Sequence, residues 1–293
     1  MTPYININGE LIPAERALFR VTNRAFHYGD GLFETMKLSQ DRIPFLYEHI
    51  KRLRNGMKLL GLQHPHIHDP EFLQNEILRL VRRVRLSEGA RIRLTVFREG
   101  EGRYTPETDQ AGYCIEAEPA ETIFQLNDFG FNIDVFKKYT KSIHPLNAVK
   151  SINSQLFIQA ARFKKQNNLN EALILNDKGN VVESISSNVF FVVKDKVITP
   201  AIDQGCLPGV MRSLVIEMLR KGKIEVFETA VKPQILLECR EVFFTNAVQG
   251  IQYAMAYEDK RYFHKLSEQL VNALNTEVDL RVNLMKDLPE TDS

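Results

Sequence analysis

The sequence is short of cysteine, of net charge and of long apolar runs, and each shortage closes off a class of function. Its three cysteines, Cys114, Cys206 and Cys239, are odd in number, far apart and without a CxxC pair, so neither a disulfide framework nor a metal site is expected. A reducing, cytoplasmic setting fits that usage. Lys and Arg number 38 against 37 Asp and Glu, a net charge of +1, which leaves no basic excess for nucleic acid. No stretch approaches the about 18 apolar residues a membrane span needs, and the start, MTPYININGELIPAER, lacks the basic-then-apolar pattern of a secretion signal. What is present is ordinary for a soluble enzyme: 293 residues, 44% hydrophobic and 26% charged, enough for two modest domains.

Extended and helical runs alternate along the chain. Tyr4-Ile5-Asn6-Ile7 and Leu11-Ile12 flank the turn dipeptide Asn8-Gly9, which predicts a hairpin. Leu46, Ile50, Leu53, Met57 and Leu60 step by four and three, the stripe of a helix, and 72–84 repeats the pattern. In RIRLTVF, Ile92, Leu94 and Val96 alternate as one face of a strand. The periodicity lapses in EAEPAETIFQLN, which marks an interdomain connection at 119–127 between an N-terminal domain, 1–118, and a C-terminal domain, 128–286, followed by a polar tail, 287–293. In the second part, 131–136 and 242–245 read as strands, 151–166 and 208–220 as helices, 189–193 as an apolar strand, and Asp177-Lys178-Gly179 as a hairpin turn. The mixture predicts an α+β fold: a small N-terminal α+β domain and a larger, mostly antiparallel, barrel-like α+β domain.

Four places could carry chemistry. Lys150, in HPLNAVKSIN, has mostly apolar neighbours, and a desolvated ammonium becomes a nucleophilic amine. Glu183, between Val182 and a Ser-rich turn, could hold a buried cation or protonated heterocycle. Pro208-Gly209-Val210-Met211-Arg212 opens a helix whose free N–H groups favour a phosphate. Arg52, beside the apolar stripe of its helix, offers a fork-shaped second contact to such an anion. Singly, each also has an ordinary reading as a surface lysine, a hairpin-end glutamate, a common helix start or a solvated arginine. Their order changes that.

YGDGLFET at 28–35, HIKRL at 49–53, VKSIN around Lys150, VVESISSNVFFV, LPGVMR and TNAVQGI together resemble the class IV, fold type IV aminotransferase family of pyridoxal phosphate enzymes. That family includes branched-chain and D-amino acid aminotransferases and aminodeoxychorismate lyase. The resemblance implies a homodimer acting on small amino and keto acids, with the cofactor between the domains and no nucleic-acid or membrane partner. It implies that Lys150 carries the cofactor and shuttles protons, and that Glu183 faces the pyridine nitrogen. Arg52, the N–H groups of Val210 and Met211, and the segment Thr245, Asn246 and Ala247 would hold the phosphate. An intact Lys150, Glu183 and Arg52 argue against a non-catalytic relative.

For the reaction, the motifs divide. D-amino acid aminotransferases carry a tyrosine after GDG and an arginine–histidine pair beyond the following strand, where this chain has Phe33, Arg103 and Thr105. Branched-chain enzymes carry a tyrosine five positions after the lysine, where this chain has Gln155. Val210-Met211-Arg212, Asn246-Ala247 and the arginine-rich REGEGRY loop look more like aminodeoxychorismate lyase, which releases 4-aminobenzoate and pyruvate in folate synthesis. On that reading Phe33, Arg98 and Arg103 line the substrate site, the two arginines as bidentate carboxylate donors, and Thr35 is a candidate for proton handling. The alternative is a branched-chain or D-amino acid type transaminase working with 2-oxoglutarate.

Overall fold

The computed structural model describes residues 3–17 and 19–286, so the expected polar tail lies outside the described residues. Packing divides the chain into two units: the described residues up to Ile123 with Val149–Asn153 and those from Thr276 on, and Phe124–Ala148 with Ser154–Asn275. The first unit gives way to the second between Ile123 and Phe124, and the short segment around Lys150 packs with the first unit.

The first unit begins with β1 (Tyr4–Ile7) and β2 (Glu10–Pro13). Asn8 and Gly9 both have positive φ, 51° and 90°, which a two-residue hairpin turn of the right twist demands. Then come α1 (Arg24–Tyr28), β3 (Gly31–Ser39), α2 (Leu46–Leu60), α3 (Pro70–Val84), β4 (Gly89–Arg98) and β5 (Ala111–Pro119). The strands form one antiparallel sheet in the order β2-β1-β5-β4-β3. Helix α2 matches the predicted stripe and ends at Gly61, in the left-handed conformation that releases the chain. Helix α3 starts on Asp69, whose carboxylate accepts the Glu71 N–H, with Pro70 in the first turn.

Leu32, Met36 and Leu38 of β3, Ile92, Leu94 and Val96 of β4, and Ile115 and Ala117 of β5 pack with Leu53, Met57, Ile77, Leu80 and Val81 of the helices. Truncating a fully buried member such as Leu53 to alanine costs about 2–5 kcal/mol. The alternation persists to Pro119 because Glu116 and Glu118 lie on the opposite face, paired with Arg93 and Arg91 of β4. The apparent lapse in EAEP is the charged side of a strand.

The second unit contains β6 (Phe131–Lys141), α4 (Gln155–Gln166), β7 (Glu171–Asn176), β8 (Val181–Ser184), β9 (Asn188–Val193), β10 (Lys196–Pro200), α5 (Val210–Lys221), β11 (Val226–Thr229), α6 (Ile235–Glu238), β12 (Glu241–Asn246), β13 (Gly250–Tyr257) and β14 (Lys260–Arg261). Helix α7 (Lys265–Lys286) is the last described element, its residues from Thr276 on counting with the first unit. The sheet order is β11-β10-β9-β12-β13-β6-β7-β8, with β14 beside β13. Three of its pairings, β10 with β11, β13 with β6 and β6 with β7, are parallel. Strands β9 and β12 are apolar on both faces: Val189, Phe191, Val242 and Phe244 enter one core, and Phe190 stacks on Phe243 at 4.9 Å. Such unbroken apolar runs are what a strand covered on both sides looks like. No described helix is long and apolar enough to cross a membrane.

Candidate active site

Lys150 sits in an extended segment laid along the edge strand β3. The predicted helix starts only at Gln155. The Phe33 N–H donates to the Lys150 carbonyl at 2.8 Å, Ile152 N–H donates to Gly31 at 3.2 Å, and Leu32 faces Ser151 as an antiparallel bridge. Val149 is buried in the first unit's core, which pins the segment from the inside and turns Lys150 to the other side. The Lys150 ammonium lies 4.5 Å from the centroid of the Phe33 ring. Arg93 also stacks on that ring, its guanidinium carbon 3.9 Å from the centroid.

These groups share the sheet face away from α2 and α3, because the strand pleat puts Phe33 and Thr35 opposite Leu32, Glu34 and Met36. Thr35 pairs directly with Arg93 across β3 and β4. Phe33, Thr35, Arg93 and Lys150 therefore form one cluster. Arg93 escaped the sequence reading because it alternates with buried residues in an ordinary strand. The signal was its position two residues before Thr95, on the same face as Phe33.

On the helix side of β3, Glu34 is a charge set among apolar residues and 1% exposed. Its oxygens accept Arg52 Nε at 2.8 Å and Nη2 at 2.5 Å, and His49 Nδ1 lies 2.7 Å away. Burial alone would raise the Glu34 pKa, but the Arg52 guanidinium, by charge and hydrogen bond, and His49 bring it down to about 2. Burial pushes His49 downward despite Glu34, so the imidazole is a neutral Nδ1–H donor to a carboxylate that can only accept. The forked pairing fixes the plane of Arg52, the expected phosphate ligand, and the sequence reading passed over Glu34 and His49 entirely.

Arg98, an expected substrate ligand, is built into the sheet. It is buried, and its guanidinium donates to Asp30 Oδ2 at 3.0 Å, Asp109 Oδ1 at 2.6 Å, Leu60 O at 2.5 Å and Gly61 O at 3.3 Å. With four acceptors around it, Arg98 joins β4 to the end of α2 and is committed to the fold. Arg103, by contrast, is exposed, and its backbone carbonyl is held by Arg24 Nη1 at 2.6 Å. The same Arg24 nitrogen reaches the carbonyls of Glu101 and Gly102, so one buried side chain anchors the REGEGRY loop.

In the second unit, Glu183 lies in β8 with both oxygens engaged: Oε1 with Lys141 Nζ at 2.5 Å and Oε2 with the Leu207 N–H at 3.0 Å. Asn188 Nδ2 donates to the Leu207 carbonyl at 2.9 Å. The turn before α5 is thus held from two sides. Gly209 caps that helix, and a Cβ there would run into Asn188 Oδ1. Val210 and Met211 form the first turn of α5, where no side chain caps the N–H groups. Thr245 stands opposite Asn188 across β12 and β9, and its buried hydroxyl has no hydrogen-bond partner. Asn246 shapes the following turn, its Oδ1 accepting the N–H groups of Val248 and Gln249 at 3.0 and 2.8 Å, with Ala247 inside that turn.

The residues fit a phosphorylated pyridine in each unit separately. An uncapped helix start, a glycine kept bare by Asn188 and an orphaned buried hydroxyl suit a phosphate group. A buried carboxylate suits a ring cation; within the first unit, the oriented Arg52 suits an anion and the Lys150 amine suits an aldehyde.

The whole chain superposes on the branched-chain amino acid aminotransferase from Thermobaculum terrenum in its pyridoxal phosphate form, with a TM-score of 0.84, 23% identity, and 96% and 95% of the two chains covered. The fold is therefore fold type IV, a mixed helix and sheet architecture with a curled half-barrel sheet. The family model for amino-transferase class IV matches residues 31–255, and the chain belongs to that family of pyridoxal-phosphate-dependent enzymes. A branched-chain-amino-acid aminotransferase from Methanocaldococcus jannaschii is 29% identical over 257 residues, 84% of this chain and 85% of that one. The aminodeoxychorismate lyase of Bacillus subtilis is 26% identical over 273 residues, 88% of each chain.

Proposed function

We propose that the chain is a pyridoxal-phosphate-dependent 4-amino-4-deoxychorismate lyase. The observation that carries this reading is the hydroxyl of Thr35 on the sheet face of Phe33, paired with Arg93 and two residues along the strand from the ring beside the Lys150 amine. Release of a three-carbon enol needs a proton donor as well as a base; amine transfer between an amino acid and a keto acid needs no such second group.

Bound pyridoxal phosphate would supply an aldehyde for the substrate amine and a ring that takes up the electron pair left when the neighbouring C–H bond breaks. The chain's residues do the rest. Lys150 Nζ removes the proton from the ring carbon bearing nitrogen. The C–O bond to the enolpyruvyl group then breaks and the ring becomes aromatic. Thr35 Oγ1 passes a proton to the departing enol, giving pyruvate, and recovers one from the Lys150 side. Arg93 offers a planar fork to a substrate carboxylate, and the exposed Arg103 is a candidate for the second. Arg98 is left out of this reading, because four of its five N–H donors already serve the fold. Glu183 keeps the proton on the ring nitrogen. Arg52, the first N–H groups of α5 and the Thr245 hydroxyl hold the phosphate, with Asn246 and Ala247 shaping the turn beside them.

A homodimer in the cytoplasm completes the proposal, consistent with three buried, unbridged cysteines. A second reading, an aminotransferase using 2-oxoglutarate, is favoured by the relatives named as branched-chain aminotransferases. In that case Arg93 would take the second carboxylate of the keto acid. Thr35→Val separates the two. It should slow 4-aminobenzoate release at least about tenfold, whereas an aminotransferase would tolerate the isosteric change. Unaltered lyase turnover in that variant removes Thr35 from the mechanism.

A further inference from the structure

Lys141 has no part in the chemistry described so far, yet its ammonium lies 2.5 Å from Oε1 of Glu183 with both side chains at 10% exposure or less. It reaches Glu183 from the end of β6, beyond an irregularity in the register with β7 that sets Lys141 against Asn176. The Phe157 ring of α4 lies 5.6 Å from the ammonium. The other ionisable groups nearby are accounted for. Burial pushes the Cys206 thiol up to about 11, so it is neutral. The Arg212 guanidinium is turned toward Glu228, its Nη2 donating to that carboxylate and to the Pro200 carbonyl. Lys141 is thus the counter-charge of Glu183.

A carboxylate placed to meet a cationic ring nitrogen has a difficulty before that cation arrives. Buried without a cation, its charge would be left uncompensated and its direction unfixed. We propose that Lys141 is a positioning residue that stands in for the ring nitrogen: it pairs with Glu183 and aims its carboxylate in the cofactor-free chain, and shares the carboxylate once the ring cation is bound. The proposal rests on the reading of Glu183 as the partner of the pyridine nitrogen. Because Oε2 of the same carboxylate accepts the Leu207 N–H in the turn before α5, Lys141 also steadies the phosphate end of the site.

The test is thermal unfolding with and without saturating pyridoxal phosphate. It compares wild type with Lys141→Met, Lys141→Arg, Glu183→Gln and the double variant Lys141→Met/Glu183→Gln. Lys141→Met should lower the cofactor-free Tm by about 5 °C or more, the usual effect of stranding a buried charge. The cofactor-bound Tm should fall by less than half as much, since the ring cation replaces the ammonium. Lys141→Arg should restore the cofactor-free Tm, and so should the double variant, which leaves no charge to compensate. Equal losses with and without cofactor would overturn the proposal and leave Lys141 an ordinary ion pair. If the single variant does not fold, a double variant that is equally unfolded overturns it too. Should wild type bind the cofactor but Glu183→Gln bind it equally well with the same absorbance, the assignment of Glu183 fails first, and the proposal with it.

Discussion

Glu34→Gln tests how the first unit holds Arg52. In the wild type the carboxylate is brought from the ordinary 4.5 to about 2, against its burial, chiefly by Arg52. A depressed carboxylate stabilises the fold above its unfolded value and loses that contribution as pH falls toward the folded one. At 1.36 kcal/mol per pH unit, the difference between 4.5 and about 2 amounts to about 3.4 kcal/mol near neutrality. By linkage the same pair of values leaves about 1.5 kcal/mol at pH 3. Urea unfolding of the two proteins between pH 7 and pH 3 should therefore give a stability difference that is flat above about pH 5.5 and shrinks by about 2 kcal/mol by pH 3. The glutamine also leaves Arg52 without its charged fork, so cofactor dissociation should rise by about tenfold. A difference that stays constant down to pH 3 would show that Glu34 is not held ionised by Arg52, and the account of how Arg52 is aimed would fail.

Arg98→Gln should lower stability by about 1–3 kcal/mol in urea unfolding, because Asp30 keeps Arg24 but the Leu60 and Gly61 carbonyls lose their donor and the junction between β4 and α2 opens; an unchanged midpoint with a raised Michaelis constant would return Arg98 to the substrate. Arg93→Gln should do the opposite, raising the Michaelis constant about tenfold or more with little loss of stability. Gly209→Ala should weaken cofactor binding while the α5 helix signal in circular dichroism persists, since the new methyl meets Asn188 Oδ1; unaltered affinity would mean the turn before α5 does not touch phosphate. Lys150→Ala should lose the borohydride-fixable adduct seen by mass spectrometry, and an adduct that survives would place the reactive amine elsewhere.

Periodicity made much of the fold readable. The stripe from Leu46 to Leu60 and the Asn8-Gly9 turn report local geometry, and the structure has them where the pattern sets them. Strand β6 outruns its pattern because the half beyond Phe136 is mostly exposed, and KKYTK carries no apolar alternation. The segment at Lys150 looked like the run into a helix because its true partner, β3, is more than a hundred residues away, and only that pairing draws Val149 inward. Likewise, Arg98 looked like a substrate ligand in a charged loop. Its hydrogen bonds go to Asp30, Asp109 and two carbonyls at the end of α2, contacts that no local pattern encodes. Glu34 was hidden inside the motif used for the resemblance, and its meaning emerged only when α2 delivered His49 and Arg52 to it.

The central claim is a division of labour between Lys150 and Thr35 that releases pyruvate. It is tested most directly by incubating the pyridoxal-phosphate-loaded protein with 4-amino-4-deoxychorismate in the absence of any keto acid and following both products by chromatography. The account predicts 4-aminobenzoate and pyruvate in equal amounts over many turnovers. Absence of 4-aminobenzoate, together with keto-acid-dependent amine transfer from an ordinary amino acid, would contradict it.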